Sequence, residues 1–288
     1  MGYQKSGSFN LLRYRGNFEK RLKALGVAVT WSEFTSGPPL LEALGAGSID
    51  LGQTGDAPPV FAQARGSNIV YIGQSDKSPD SVGLLVPPNS SIRTIAQLKG
   101  KKVAFARGSS AHFFIVKALE TAKLSLKDVT PVYLQPPDGR AAFERGSIDA
   151  WAVWDPFFAA AEKDAKARVL VNGRGLTPFR EFYLSDRNFA NQNPDLIPVI
   201  IQELRALGTW AVSNPNKSAE FLADKTKINI DILKVSERRR AGRYRTNTGV
   251  TPEAIAEQQQ IADIFFAQGL IPKRIRVADA VWRPRSQR

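Results

Sequence analysis

Gly47-Ser48-Ile49-Asp50 and Gly146-Ser147-Ile148-Asp149 are the same four residues met twice in one chain. At equal spacing after each copy stands a second aspartate, Asp56 or Asp155. Proline follows at once or one residue later, as Pro58-Pro59 or Pro156, and alanine-rich helical sequence comes next. Chance supplies a repeated tetrapeptide easily. It does not supply the same order of elements on both sides of it, and that order is the signature of an internal duplication.

Upstream of the first copy, an apolar start at Tyr3 runs through the loop Ser6-Gly7-Ser8 into a helical stretch ending at Leu25 and a β-like segment at 27–34. The second copy runs from 103–105 through Gly108-Ser109-Ser110 to a helix ending near Leu124 and a β-like segment at 129–134. A proline-bearing loop follows in each, Gly37-Pro38-Pro39 or Pro136-Pro137-Asp138, and then a short helix that ends at the repeated turn. An apolar strand leaves that turn, 51–54 in one copy and 150–154 in the other. Each copy therefore reads as strand, helix, strand, helix, strand, the unit that builds an open sheet with helices on both faces.

Two such units predict an α/β protein of two βαβ-based lobes. The segment 81–87 reads as a strand crossing from one lobe to the other, and 180–186 as the return. Lobe I is then residues 1–82 and 186–288, lobe II is 83–185, and the ligand cleft lies between them. Beyond the return the pattern is helical, at 197–212, 216–223, from near Asn229, and at 252–268. This tail is expected to pack back onto lobe I.

The length of 288 residues suits two lobes better than one compact core. Hydrophobic residues at 43% and charged residues at 23% exclude a disordered chain. No apolar run approaches the roughly 20 residues of a membrane span. The N-terminus lacks a signal-peptide pattern, and a strand is already under way at Met1-Gly2-Tyr3-Gln4, so an export signal is expected to have been removed upstream. The absence of cysteine excludes disulfides and thiol chemistry, and a single histidine argues against a metal centre. No cofactor is expected. A net charge of +13 raises nucleic acid as a partner. The basic residues are scattered, however, and the one dense group, Arg238, Arg239, Arg240, Arg243 and Arg245, reads as a solvated face. Its diffuse field would draw anions inward.

In open α/β sheets ligands bind beyond the carboxyl ends of the strands. Helix-start residues recur there, at Ser6 and Ser8, at Thr35-Ser36-Gly37-Pro38, at Asp56-Ala57-Pro58, at Ser109-Ser110 and at Asp155-Pro156. Facing units would aim several helix N-termini into one pocket, an anion site that needs no Arg or Lys. Gln4 ends the first strand and either donates to the anion or ties down a loop. Asp56 and Asp155 read as N-caps, or as acceptors that help the lobes close. His112 sits at a helix start, either at the cleft as a neutral imidazole or as a structural residue. Trp154 stands out among the possible apolar walls Tyr3, Trp31, Phe113, Phe114, Trp151 and Phe157, most of which are expected in cores. The stretch around Ser110 is a near miss to a nucleophile elbow, with His112 where glycine is needed, and no second histidine exists to serve a triad.

The chain resembles the aliphatic sulfonate-binding subunits of ABC importers, within the nitrate, sulfonate and taurine group. The resemblance rests on GYQKSGS at 2–8, SIDLGQTGDAPPVFAQA at 48–64, QLKGKKVA at 97–104, RGSSAHF at 107–113, YLQPPDGRAAFERGSIDAWAVWDPFFAAAE at 133–162 and EQQQIADIFFAQGLIPKRIRVADAVW at 257–282. It implies a type II periplasmic-binding-protein fold, a hinge of two crossing strands, and closure around a ligand. It also implies a periplasmic monomer that delivers an alkanesulfonate to a membrane permease driven by an ATPase, and no catalysis. The binding positions it carries over are Gln4 and Ser6, Gly37 and Pro38, and Thr54, Gly55, Asp56 and Ala57. In the second lobe they are Gly108, Ser109, Ser110, His112, Trp154 and Asp155. Taurine, nitrate or a thiamine-precursor-like ligand is the nearest alternative. An enzyme using Asp56 and Asp155 as acid and base, or the effector lobe of a transcription regulator, has no motif in its favour.

Overall fold

Each repeated tetrapeptide is the turn by which a helix is handed to a strand. In a computed structural model, which describes residues 1–247 and 249–283, Gly47 and Gly146 both adopt left-handed backbone (φ 71 and 68). Ser48 N–H then reaches back to the Ala43 carbonyl, as Ser147 N–H does to Ala142, each at 2.9 Å. This is a Schellman-type ending, which favours glycine because a side chain strains the left-handed backbone. The isoleucine that follows, Ile49 or Ile148, is buried and anchors the turn in its lobe's core.

The first copy comprises β1 (Gly2–Tyr3), α1 (Ser8–Arg15), α2 (Asn17–Ala24), β2 (Ser32–Glu33), α3 (Gly37–Gly45), β3 (Leu51–Gly55) and α4 (Ala57–Ala64), followed by β4 (Ile69–Ser75). β5 (Val82–Val86) leads into the second copy: β6 (Lys102–Phe105), α5 (Ser110–Glu120), β7 (Thr130–Tyr133), α6 (Pro136–Glu144), β8 (Ala150–Trp154) and α7 (Phe157–Asp164). β9 (Arg168–Asn172) and β10 (Glu181–Asp186) come next. The tail holds α8 (Arg187–Gln192), α9 (Leu196–Ser213), α10 (Pro215–Thr226), α11 (Ile230–Arg240), β11 (Thr246–Asn247) and α12 (Pro252–Ala267).

The two sheets run in the orders β2-β1-β3-β10-β4-β11 and β7-β6-β8-β5-β9. In each copy the three strands pair in parallel, and a fourth, antiparallel strand lies beside the third. That fourth strand is exchanged: β10 reaches the six-stranded sheet after the second copy, and β5 reaches the five-stranded sheet before it. The chain thus passes between sheets at 76–81 and 173–180. β4 and β9 extend the sheets beyond the five-element units expected from the repeat. β2 is shorter than the 27–34 segment suggested, because β1 offers it only two partners, Gly2 and Tyr3.

One core fills the five-stranded lobe, around Leu84, Phe105, Phe114, Trp151 and Phe158. Two cores cover opposite faces of the six-stranded sheet. On one face α9 presents Ile197, Ile200, Ile201, Leu204, Leu207 and Ala211 at helical spacing. On the other, α3, α4 and α12 bury Leu40, Val60, Ile261 and Phe265.

Two expectations are corrected here. Most of the tail packs on the six-stranded lobe, but α11 reaches the other one. Ile232 packs with Ala159 and Ala160, Arg239 pairs with Glu162 at 2.7 Å, and Lys163 pairs with Asp231. The basic group is also not a solvated face throughout. Arg240 is 1% exposed and Arg243 4% exposed, because the guanidinium donors are taken up by the Asp155 carbonyl before α7, the Phe179 carbonyl of the return passage and the Glu181 carboxylate at the start of β10.

Candidate functional site

A cavity, partly open to solvent, lies between the lobes at the carboxyl ends of the strands. The six-stranded lobe contributes Gln4, Ser6, Gly37, Gln53, Gly55 and Pro58. The other lobe contributes Ser109, Ser110 and Trp154, and Phe179, Glu181 and Arg243 complete the lining.

The helix starts divide into those already occupied and those that are not. At α1, Ser8 N–H donates to Glu181 Oε2 at 3.2 Å and Phe9 N–H to Gln53 Oε1 at 3.2 Å. At α4, Ala57 N–H donates to Asp56 Oδ1 at 2.9 Å. These two starts are satisfied by the protein itself, so the expected convergence of many free helix ends is reduced. α3 and α5 differ. No side chain caps either, and Pro38 and Pro39 have no N–H, so Gly37 supplies the first amide of α3. Ser109 turns its hydroxyl to the Ala106 carbonyl at 2.7 Å, which leaves the Ser110 amide at the open start of α5.

Arg243 is the group that reading the sequence missed. Its Nε donates to Ser78 Oγ at 2.8 Å, Nη1 to Glu181 Oε1 at 3.1 Å, and Nη2 to the Phe179 carbonyl at 3.1 Å. A guanidinium carries five N–H donors, so these bonds leave two for the cavity it lines. Burial lowers its pKa, opposed by the charge of Glu181. The inference that an anion site here needs no arginine is therefore replaced. Nothing local marks Arg243, since its neighbours have the same charge and no helical stripe sets it apart. Glu181 and Gln53 sit at sheet positions where alternation alone assigns a side to the chain but not a ligand. Pro58 belongs to the repeated Asp-Pro pattern and was legible in principle.

Of the residues singled out beforehand, Gln4, Ser6, Gly37, Gly55, Ser109, Ser110 and Trp154 line the cavity. Gln4 also ties down its loop, donating to the Gln53 carbonyl at 3.1 Å. Pro38 and Gly108 face one another from opposite lobes, outside the lining. Thr54 is fully buried and donates to the Gly55 carbonyl at 2.9 Å. Ala57 lies behind Ser110, its amide 3.5 Å from Ser110 Oγ.

Asp56 and Asp155 lie outside the lining, buried at the starts of α4 and α7. Burial raises the pKa of Asp56, with Ser110 and the Ala57 amide opposing. Asp155 Oδ1 accepts from Ala159 N–H at 3.0 Å and faces Arg239 Nη1 at 3.4 Å; burial nevertheless pushes its pKa up to about 6.

His112 is likewise outside the lining. Its ring stacks on Phe105 of its own lobe and lies against Phe61 and Phe265 of the other, while Nδ1 accepts from Gly108 N–H at 3.2 Å. Burial, with a contribution from Arg107, lowers its pKa to about 4. Nε2 is buried and without a hydrogen-bond partner. Of the possible aromatic walls, Tyr3, Trp31, Phe113, Phe114, Trp151 and Phe157 belong to or pack against the cores, and only Trp154 among those named faces the cavity. Phe179 does so as well. Among the described residues, no group of three or more His, Cys, Asp or Glu side chains is placed to hold a metal, and no helix is long and apolar enough to cross a membrane.

Comparison with known proteins gives consistent matches. The family described as NMT1/THI5 like matches residues 22–218. An aliphatic sulfonates-binding protein of Escherichia coli K12 is 39% identical over 286 residues, 99% of this chain and 88% of that protein. The taurine-binding periplasmic protein of the same strain is 28% identical over 249 residues, 84% of this chain and 74% of its own. Among solved structures, the alkanesulfonate-binding protein SsuA of Xanthomonas axonopodis pv. citri bound to MOPS superposes with a TM-score of 0.92 at 40% identity, covering 98% of this chain and 96% of that one.

Proposed function

Because the chain belongs to the NMT1/THI5-like family, with aliphatic sulfonate-binding proteins among its relatives, we propose that it is the extracytoplasmic solute-binding protein of an ABC importer and that it captures alkanesulfonates. The observation that carries this reading is Arg243, a buried guanidinium with two donors to spare, in a cavity also reached by the open starts of α3 and α5. The passages 76–81 and 173–180 act as the hinge, dividing lobe I (1–82 and 186–288) from lobe II (83–185).

The sulfonate oxygens accept from Arg243, the Gly37 and Ser110 amides and the Ser6 hydroxyl, while the Ser109 and Ser110 side chains, already donating to the Ala106 carbonyl and to Asp56, wall the head group. Gln4 and Gly55 border the head group, and the alkyl chain lies along Trp154, Phe179 and Pro58. Thr54, Asp56, Ala57 and Asp155 hold the loops that carry these groups, and Pro38, Gly108 and His112 meet as the lobes close. Micromolar affinity corresponds to about 8 kcal/mol. Two helix starts contribute roughly 0.3 to 1 kcal/mol each, and a charged hydrogen bond about 1.5 to 3 kcal/mol. Burial of the tail adds about 0.8 kcal/mol per methylene. The arginine and the apolar wall therefore outweigh the dipoles.

Taurine is the less supported alternative. An ammonium needs a carboxylate cage, but Asp56 and Asp155 lie behind the lining, and Glu181, which lines it, is already engaged by Ser8 and Arg243. Nitrate would leave Trp154 and Phe179 with nothing to cover. A periplasmic location, a monomeric state and delivery to a permease with its ATPase follow from the same reading. A thermal-shift screen with butanesulfonate, taurine, nitrate and sulfate tests it, since a ligand at 100 times its dissociation constant stabilises by about 2.7 kcal/mol. Selective stabilisation by the alkanesulfonate is expected; no response to it, or a larger one to nitrate, refutes the proposal.

A further inference from the structure

We propose that Glu181 makes the cleft a reader of ligand charge, favouring singly charged anions over doubly charged anions of the same size and shape. The inference rests on the reading of the cavity as an anion site and adds the property that selects among anions.

Among the described residues Glu181 is the one carboxylate in the lining, and it is 1% exposed. It cannot turn away from a ligand. Oε2 accepts from Ser8 N–H at 3.2 Å and from Ser8 Oγ at 2.9 Å, while Oε1 accepts from Arg243 Nη1 at 3.1 Å. Tyr183 OH donates in turn to Ser8 Oγ at 3.0 Å, which fixes the serine. The carboxylate thus stands at the start of α1 where an anion would otherwise bind, and it offsets the charge of Arg243.

Among the described residues the lining consequently has one positive and one negative group and no net charge. A ligand with a single charge can take the two spare Arg243 donors and the amides of α3 and α5. Among the described residues a second charge on the same head group meets no further cation in the lining, and it lies close to a fixed carboxylate in a partly enclosed site, where like charges repel more strongly than in bulk water. Three donors already satisfy Glu181.

Butanesulfonate and butylphosphonate test this by calorimetry, because the two share a tetrahedral head group and tail. The sulfonate stays singly charged throughout, while the phosphonate passes from one charge to two across its second ionisation. The sulfonate is expected to bind the native chain about a hundredfold more tightly than the doubly charged phosphonate. That ratio should narrow at a pH where the phosphonate has one charge. The sulfonate measured at each pH corrects for protein groups such as His112 and Asp155. Glu181→Gln should reduce the high-pH ratio at least tenfold. Equal binding of the doubly charged phosphonate and the sulfonate by the native chain overturns the inference, as does an unchanged ratio in the folded Glu181→Gln variant. The native pH series decides the matter alone if that variant does not fold. Failure of butanesulfonate to bind at all overturns the proposed function as well, whereas tight binding of both anions overturns only the charge reader.

Discussion

Arg243 Nη1 lies 3.1 Å from Glu181 Oε1, and the two residues are 62 positions apart in the chain. The pair joins the tail to the strand by which the chain returns from the second sheet. Arg243 also reaches Ser78 on the outward passage and the Phe179 carbonyl on the return. One side chain therefore ties both passages together and lines the cavity, so ligand binding and hinge geometry are coupled through a single group.

Arg243→Lys keeps the charge and loses the fork that serves three acceptors at once. Affinity for butanesulfonate should fall more than tenfold, measured by calorimetry, with the fold retained. Arg243→Met should do more, because it leaves Glu181 buried without its cation, a loss of about 3 to 5 kcal/mol. Wild-type affinity in Arg243→Lys would remove the residue from the anion site.

Gly55 and Ser110 face one another from opposite lobes at the cavity. A Cβ on residue 55 would stand 2.2 Å from Ser110 Oγ and 3.2 Å from its Cβ. Gly55→Ala should therefore hold the lobes apart, weakening butanesulfonate binding by at least tenfold while changing the ligand-free melting temperature little. Pairing it with Ser110→Gly removes the obstruction and should recover part of the lost affinity. Failure of the pair to recover any would show that the contact does not limit closure.

An aspartate that touched the ligand would lose affinity on Asp155→Ala with the fold intact. The structure changes the expected outcome. The variant loses the acceptor for Ala159 N–H and a partner of Arg239, so it should destabilise by about 1 to 3 kcal/mol and weaken binding only through the hinge. Asp155→Asn retains an acceptor. The native carboxyl, with its pKa raised to about 6 by burial, contributes stability that is complete below its unfolded pKa of 3.8 and is lost as pH rises through 6. Denaturant titrations should show this loss in the native chain, up to about 3 kcal/mol, and its absence in Asp155→Asn.

The fold was legible because duplication turns local signals into architecture. Gly47 and Gly146, the proline-marked helix starts and the aspartates at equal spacing fixed two like units, and 81–87 and 180–186 marked the exchange of strands. The cavity was legible where it is built from backbone and short loops, at Gly37, Gly55, Ser109 and Ser110. It was not legible where it depends on long side chains brought from a distance. Arg243 is informative only once α11 is seen to end against the passages, and Glu181 only once the start of α1 is seen to accept its carboxylate. Burial likewise moved Asp56, Asp155 and His112 behind the surface to which their chemistry had assigned them.

His112 connects closure to pH. Its ring packs against Phe105 and Tyr133 within its lobe and against Phe61 and Phe265 across the interface, with Nε2 unpartnered and Arg107 the charged neighbour. Burial lowers its pKa to about 4, and opening the lobes would strip Phe61 and Phe265 from the ring and return it towards the ordinary 6.5. A lowered histidine pKa means that the closed form loses stability as pH falls through 6.5, until the ring is charged in both forms below 4. Butanesulfonate affinity should therefore weaken between those limits, approaching tenfold per pH unit, although the sulfonate does not titrate there. His112→Phe fills the same aromatic contact without a titrating group and should flatten that slope. A slope that persists in His112→Phe would assign the coupling to another group, and not to Asp155, whose raised pKa gives a slope of the opposite sign.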